Sequence, residues 1–119
     1  MEPSPKCILS TVSKNGFLEQ LQNNKGVFIL KFGAEWCGPC KKIEGLVTEL
    51  MMNLPETATC AIIDVDENFE IYALFKSKKM INGIPAIFAF KQGNISTVPD
   101  DVVVGADENQ IRLFFQKYM

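Results

Sequence analysis

Val27-Phe28-Ile29-Leu30-Lys31-Phe32 leads through Gly33-Ala34-Glu35 into Trp36-Cys37-Gly38-Pro39-Cys40-Lys41, and the change of pattern along this stretch decides the fold. Residues 27–32 are β-branched, aromatic and nearly all apolar, the pattern of a strand covered on both faces. From Cys37 onward the period becomes helical. Ile43, Leu46, Val47, Leu50, Met51 and Leu54 recur along one face, which predicts a single long helix ending before Pro55.

The same alternation extends outward. Cys7 to Thr11 reads as a first strand, and Ser13 as the cap of a helix with Phe17, Leu18 and Leu21 inward. Asn23-Asn24-Lys25-Gly26 is a stop signal. Thr59 to Val65 reads as a buried strand. Asn68 to Lys79 suits a helix with Ile71, Leu74 and Phe75 inward and a basic last turn, Lys76, Lys78 and Lys79. Ile84 to Phe90 is a strand beginning at Pro85, Lys91-Gln92-Gly93-Asn94 a turn, and Val102 to Val104 a short strand. Asp107 and Gln110 resemble a capping box ahead of a last helix with Ile111, Phe114, Phe115 and Tyr118 inward. The order is β-α-β-α-β-α-β-β-α. It predicts an α/β fold with a central mixed sheet of about five strands, flanked by four helices and closed by a hairpin. Residues 1–6, with two prolines, read as a flexible N-terminal tail, and 7–119 as one domain.

Cys37 and Cys40 stand three apart at a helix start, which sets both sulfurs on one face of the first turn. Backbone N–H groups at a helix start stabilise a thiolate, the nucleophile of disulfide exchange. Pro39 suits the first turn, where its missing N–H has no intrahelical partner. The first cysteine of such a pair is expected to be the exposed one. It attacks a disulfide in another protein, and the second then displaces the reduced product. The competing readings are zinc or iron–sulfur binding and plain structural thiols. A zinc site needs about four ligands. Only Cys7 and Cys60 remain, each isolated in an apolar strand and expected to be a small buried hydrophobe.

The totals narrow the chemistry. The 119 residues suffice for a real core without disulfide staples. With no histidine, imidazole bases and Cys–His pairs are excluded. A net charge of −2, from 12 basic and 14 acidic residues, gives no reason to expect nucleic acid or a membrane surface as partner. The start Met1-Glu2-Pro3-Ser4-Pro5-Lys6 lacks the apolar run of a signal peptide, and no stretch approaches the roughly 20 apolar residues that span a bilayer. A cytoplasmic, reducing setting is the expectation, in which a close cysteine pair does redox chemistry.

Ala34-Glu35-Trp36-Cys37-Gly38-Pro39-Cys40-Lys41 resembles the active-site signature of the thioredoxin family. Asp64-Val65-Asp66-Glu67-Asn68 resembles that family's third strand and turn, Gly83-Ile84-Pro85-Ala86 its cis-proline segment, and Val104-Gly105-Ala106 the loop before its last helix. The resemblance covers residues 7–119 and implies a thioredoxin fold. It implies Cys37 as nucleophile, Cys40 as resolving cysteine, and a cis Pro85 facing them. Ile84 would offer backbone groups to an extended peptide. Trp36, Gly38, Pro39, Ile84, Pro85, Gly105 and Ala106 would form the substrate-binding surface. It implies no metal and no cofactor beyond the reversible Cys37–Cys40 disulfide. The implied partners are disulfide-containing proteins and a thioredoxin-reductase-like electron donor, with the chain acting as a monomer.

Three positions depart from the family pattern. Lys31 stands where a buried aspartate beneath the pair is usual, and Ile62 where a basic residue is frequent. An ammonium near Cys40 would favour its thiolate, and a buried lysine can instead lose its proton and act as a base. Alternatively, the long stem bends and puts the charge in water. On the first view Lys31 modulates the pair and makes the protein a weaker reductant. Gly45 replaces a helix-bending proline and permits a kink without forcing one. The hairpin from Gly93 to Gly105 is about four residues longer than is usual, with acidic Pro99-Asp100-Asp101, as a plain insertion or a partner contact.

The leading expectation is a general protein-disulfide reductase. The alternatives are an oxidase or isomerase of less reducing potential, and a thioredoxin-like subunit that holds a partner without redox activity.

Overall fold

A computed structural model describes residues 7–119. The tail expected at residues 1–6 lies outside the described residues. The elements run β1 (Ile8–Leu9), α1 (Lys14–Gln22), β2 (Val27–Gly33), α2 (Gly38–Lys42), α3 (Glu44–Met52), β3 (Thr59–Asp64), α4 (Phe69–Ser77), β4 (Ala86–Lys91), β5 (Asp101–Val104) and α5 (Glu108–Gln116). The five strands form one mixed sheet in the order β1-β3-β2-β4-β5. β1, β3 and β2 are parallel, while β4 runs antiparallel to both β2 and β5.

β2 lies at the centre and every residue of it is buried. Its side chains alternate between the faces. Phe28, Leu30 and Phe32 enter one core cluster with Phe17 and Leu21 of α1, Ile71 and Phe75 of α4, and Phe88 and Phe90 of β4. Val27 and Ile29 enter the other with Val47, Leu50 and Met51 of α3 and Ile111, Phe114 and Phe115 of α5. Both faces are therefore covered, as the unbroken apolar run requires.

The long helix expected from Cys37 to Leu54 is two helices. Ile43 caps the end of α2 and the start of α3 with φ −103° and ψ 2°, outside helical values. The apolar stripe continues through the break, with Ile43, Val47, Leu50, Met51 and Leu54 all buried. Helical periodicity does not register the kink because the same face stays inward on either side of it. Gly45, two residues on, faces open space where a Cβ would stand, so it contributes local helix weakness rather than a close approach. Five helical segments thus replace the four helices expected.

Four smaller expectations change. Leu18 is exposed, because the Phe17–Leu21 pair alone makes the inward stripe of α1 and its neighbour lies about 100° round the helix. Cys7 is exposed because the first strand is only Ile8–Leu9, and Cys7 precedes it; Cys60 is fully buried. The helix expected to Lys79 stops at Ser77, with Lys78 as its cap and Lys79 at φ +60°, leaving Lys76 alone in the last turn. The strand expected from Pro85 begins at Ala86: proline has no N–H to give to a ladder, and only its carbonyl is engaged, accepting Gly105 N at 2.9 Å.

The long hairpin closes on itself. Asn94 Nδ2 donates to the Val98 carbonyl at 2.9 Å and to Asp100 at 3.0 Å, while Asp100 also accepts Lys91 N at 2.7 Å.

Candidate functional site

The site stands where β2 ends. Gly33 is its last residue, and Val65 N donates to the Gly33 carbonyl at 2.9 Å, so pairing with β3 continues up to the loop. Asp64, opposite Gly33 in the register, then holds that loop. One of its oxygens accepts Glu35 N at 3.2 Å and the other accepts Asp66 N at 2.8 Å. Asp66 in turn accepts the Trp36 indole Nε1–H at 2.8 Å. Two carboxylates thereby fix the approach to Cys37. This role of Asp64 and Asp66 is not visible from the sequence alone. The available signal is the pair of aspartates flanking buried Val65 at a strand end. The Glu35–Lys41 ion pair at 3.1 Å lies in water and contributes little.

Cys37 and Cys40 are joined as a disulfide, with their Cα atoms 5.2 Å apart, inside the ordinary range for such a bridge. Cys37 is the N-cap of α2, and its Sγ accepts Cys40 N–H at 3.1 Å. A sulfur that accepts a backbone N–H is favoured as the thiolate. Cys40 lies inside the helix. The two cysteines are equally buried, at 5% and 4% exposure, so the expectation that Cys37 is the exposed member is corrected. Each sulfur leans on the other, and what reaches the surface is the rim, Trp36 at 70% exposure with Gly38 and Pro39.

The opposite wall comes from the loop before β4. The Ile84–Pro85 peptide is cis, and the Ile84 carbonyl oxygen lies 3.9 Å from Cys37 Sγ. Gly105 donates its N–H to the Pro85 carbonyl with φ +98°, a conformation that favours glycine. A chain of contacts therefore runs from Cys37 through Ile84 and Pro85 to Gly105. Ala106 is attached differently, through packing on the core face that α3 and α5 cover.

Behind the pair lies Lys31. It is 3% exposed, so its stem does not carry the ammonium out into bulk water, and that reading is corrected. Burial pushes its pKa below the ordinary lysine value, while the Glu44 carboxylate opposes the shift. Lys31 and Cys40 line one cavity of about 190 Å³, with Gly33 between them in the wall. A Cβ on Gly33 would stand 3.4 Å from Cys40 Sγ, so the glycine lets Cys40 sit directly on the strand. Among the described residues, no group of three His, Cys, Asp or Glu side chains is placed to hold a metal ion, and no helix is long and apolar enough to cross a membrane.

Known proteins resemble this chain in sequence and fold. The thioredoxin family model matches residues 8–117. A thioredoxin of Staphylococcus haemolyticus is 37% identical over 94 residues, which are 79% of this chain and 81% of that protein. One of Rhodospirillum rubrum is 34% identical over 88 residues, 74% of this chain and 81% of that protein. The solved thioredoxin of Plasmodium falciparum superposes with a TM-score of 0.75 at 28% identity, covering 93% of this chain and 100% of that one. The match spans the sheet, the helices and the cysteine pair together, and the pair is already closed as a disulfide. On that footing the chain belongs to the thioredoxin family, as a thiol–disulfide oxidoreductase with a dithiol active site.

Proposed function

We propose that this chain reduces disulfides in other proteins, with Cys37 as the attacking and Cys40 as the resolving sulfur. The hydrogen bond from Cys40 N–H to Cys37 Sγ carries this reading, because it stabilises charge on one sulfur of the pair and not on the other. In the reduced protein, the Cys37 thiolate attacks one sulfur of the substrate disulfide. The substrate S–S bond breaks, a mixed disulfide forms, and the first substrate thiolate leaves and takes a proton. Cys40 loses its proton and attacks Cys37 Sγ. The mixed disulfide breaks, the second substrate thiolate leaves, and the protein retains the Cys37–Cys40 bond. Two electrons have passed to the substrate, and a separate thioredoxin-reductase-like donor restores them.

The substrate lies across Trp36, Gly38 and Pro39 on one side and Ile84, Pro85, Gly105 and Ala106 on the other. Support comes from the exposed indole held by Asp66 and from the Ile84 carbonyl beside Cys37, an acceptor for an extended peptide. The protein works as a monomer in a reducing, cytoplasm-like compartment, as part of electron transport for redox homeostasis, without metal or other cofactor. The exposed Cys7, which carries no disulfide, fits such a compartment.

Trapping tests the assignment. Cys40→Ser is expected to accumulate mixed disulfides that dithiothreitol releases, and Cys37→Ser to accumulate none. Both variants are expected to lose insulin reduction. Mixed disulfides that accumulate in Cys37→Ser instead would reverse the two roles.

A further inference from the structure

Residues 71–99 hold Lys76, Lys78, Lys79 and Lys91 and no acidic residue, in a chain whose net charge is −2. Lys91 stands opposite Val27, at the end of the sheet remote from the cysteines. The other three cluster where α4 ends, and all three are exposed. Among the described residues none of the three forms an ion pair; Lys76 Nζ lies 5.5 Å from the centre of the Tyr72 ring. Lys76, in the last turn, complements the helix dipole, but that effect fades beyond the turn and gives no reason for Lys79.

Lys79 stands at φ +60°. Its N–H donates to the Lys76 carbonyl at 3.0 Å, and Met80 N–H to the Phe75 carbonyl at 2.9 Å. These two bonds close the helix in the motif whose left-handed residue is usually glycine. A lysine there carries strain that glycine would not, and its reason lies in the side chain rather than in the fold. The position is anchored to the site. Met80 is half-buried and Ile81 buried in the cluster that also holds Cys37 and Cys40. Lys79 precedes Ile84 by five residues, so their Cα atoms are at most about 18 Å apart, and the Ile84 carbonyl lies 3.9 Å from Cys37 Sγ. The opposite rim carries exposed Glu35 and the Asp66 that holds Trp36. The groove is thus basic beyond Ile84 and acidic beside Trp36.

On the reading that this chain reduces protein disulfides, we infer that Lys76, Lys78 and Lys79 take an acidic segment of the substrate protein, so that disulfides flanked by aspartate or glutamate are favoured. Carboxylates docked at the end of α4 bring the neighbouring cysteine along Ile84 and toward Cys37. Glu35 and Asp66 repel the same segment from the opposite rim, which fixes its orientation. The lysines bind only; the two sulfurs of the pair still pass the two electrons. Exposed ion pairs are individually weak, so the preference comes from three charges acting together and is sensitive to salt. A nucleic acid would meet the same charges, but it brings no disulfide to the pair that the patch adjoins.

Synthetic peptides with one cysteine, joined as symmetric disulfides, test this. Glutamates or lysines flank the cysteine, on its N-terminal or its C-terminal side. The full chain is used reduced, in a Cys7→Ser background that removes the exposed thiol. Release of peptide thiol is followed by chromatography, and each rate is divided by that of the same peptide with dithiothreitol, which cancels the intrinsic reactivity of the peptide. At about 20 mM ionic strength the better glutamate peptide is expected to react about tenfold faster than its lysine counterpart, and the ratio to fall to about twofold or less in about 0.5 M sodium chloride. The net charge of the chain favours the lysine peptide, so a preference for glutamate reports the patch. In the triple variant Lys76→Gln, Lys78→Gln, Lys79→Gln the preference is expected to vanish. Lys79→Gly removes a charge and relieves the backbone, so it is expected to raise the urea midpoint while lowering the ratio about two- to threefold; Lys79→Arg is expected to keep the ratio. Both rates come from one protein sample, so the ratio does not depend on how much of a variant is folded. A parent without the preference, a preference that survives the added salt, or a ratio that the triple variant or Lys79→Gly retains in full overturns the inference. So does polyuridylate that blocks reduction of the glutamate peptide at a lower charge concentration than polyglutamate, which would mark the patch as a nucleic-acid surface. Failure to reduce any of the peptides overturns instead the reductase reading.

Discussion

On one face of β2, Phe28, Leu30 and Phe32 meet a set of interlocked rings; on the other, Val27 and Ile29 give way to Lys31 and Gly33. The first face is sealed. Phe75 of α4 sits at its centre, with ring centroids 5.2 Å from Phe17, 5.3 Å from Phe88 and 5.5 Å from Phe32, mostly in tilted or edge-on contact. Aromatic pairs in such geometry add to the burial of their area. The second face is aliphatic near α3 and α5, then opens at its active-site end into a cavity that holds an amine and a sulfur. A buried polar group and an unfilled space both cost stability. The fold tolerates them because they are confined to the end of one face, while the other carries close packing along the whole strand.

The largest break in this contrast is Phe75→Ala. Removing the central ring leaves a cavity among Phe17, Phe32, Phe88 and Phe90, and a loss of about 3–5 kcal/mol is expected in urea unfolding. Cys37 and Cys40 belong to the same buried cluster, but the rings that Phe75 meets are those of Phe17, Phe32, Phe88 and Phe90. At a temperature where the variant stays folded, its insulin reduction is therefore expected within about twofold of the parent. A variant that loses activity in step with its stability would show that the two faces are not separable.

A smaller effect is expected at the connection that delivers α5 to the second face. Gly105 has φ +98° and no atom within 4 Å of where a Cβ would stand, so the cost of Gly105→Ala is backbone strain and not collision. About 1–2 kcal/mol is expected from denaturant melts. The Gly105 N–H to Pro85 bond joins this loop to the wall of the site. The variant is accordingly expected to raise KM for a protein substrate more than it lowers kcat.

These contrasts explain what the sequence could convey. The run Val27–Phe32 disclosed a strand covered on both faces, because both sets of alternating residues are apolar and burial follows directly. The pair Cys37 and Cys40 disclosed its chemistry, because spacing along one turn is a local property. The break at Ile43 was hidden, since a kink that keeps the apolar stripe inward leaves the period intact. The hold of Asp64 and Asp66 on Glu35 and Trp36 was hidden for a different reason. It joins residues about 30 apart, and only the register that sets Gly33 against Asp64 brings them together. Lys31 stood in between. Its departure from the family pattern was legible, but whether its charge reaches water depends on the walls that α2 and α3 build over it.

The least disruptive change sharpens the comparison most. Lys31→Met keeps the length of the stem and removes the ionisable end from the second face. In the oxidised protein at neutral pH it is expected to raise stability by about 1 kcal/mol, because the native chain carries the cost of an amine in a largely dry site. The pH dependence distinguishes this cause from packing. Burial holds the folded-state pKa of Lys31 below its unfolded value. Between the two values the unfolded chain binds more protons than the folded one, so the native protein gains stability as pH rises through that window. Below the window the full cost is present; above the unfolded value, about 10.4, it has vanished. Lys31→Met lacks this slope. The advantage of the variant in urea melts is therefore expected to be full below the folded-state value and to shrink as pH rises from there to the unfolded value, as groups common to both proteins cancel in the difference. A constant difference across that range would mean that the introduced methionine is better only as a packing residue, and that the second face does not bury a titrating amine.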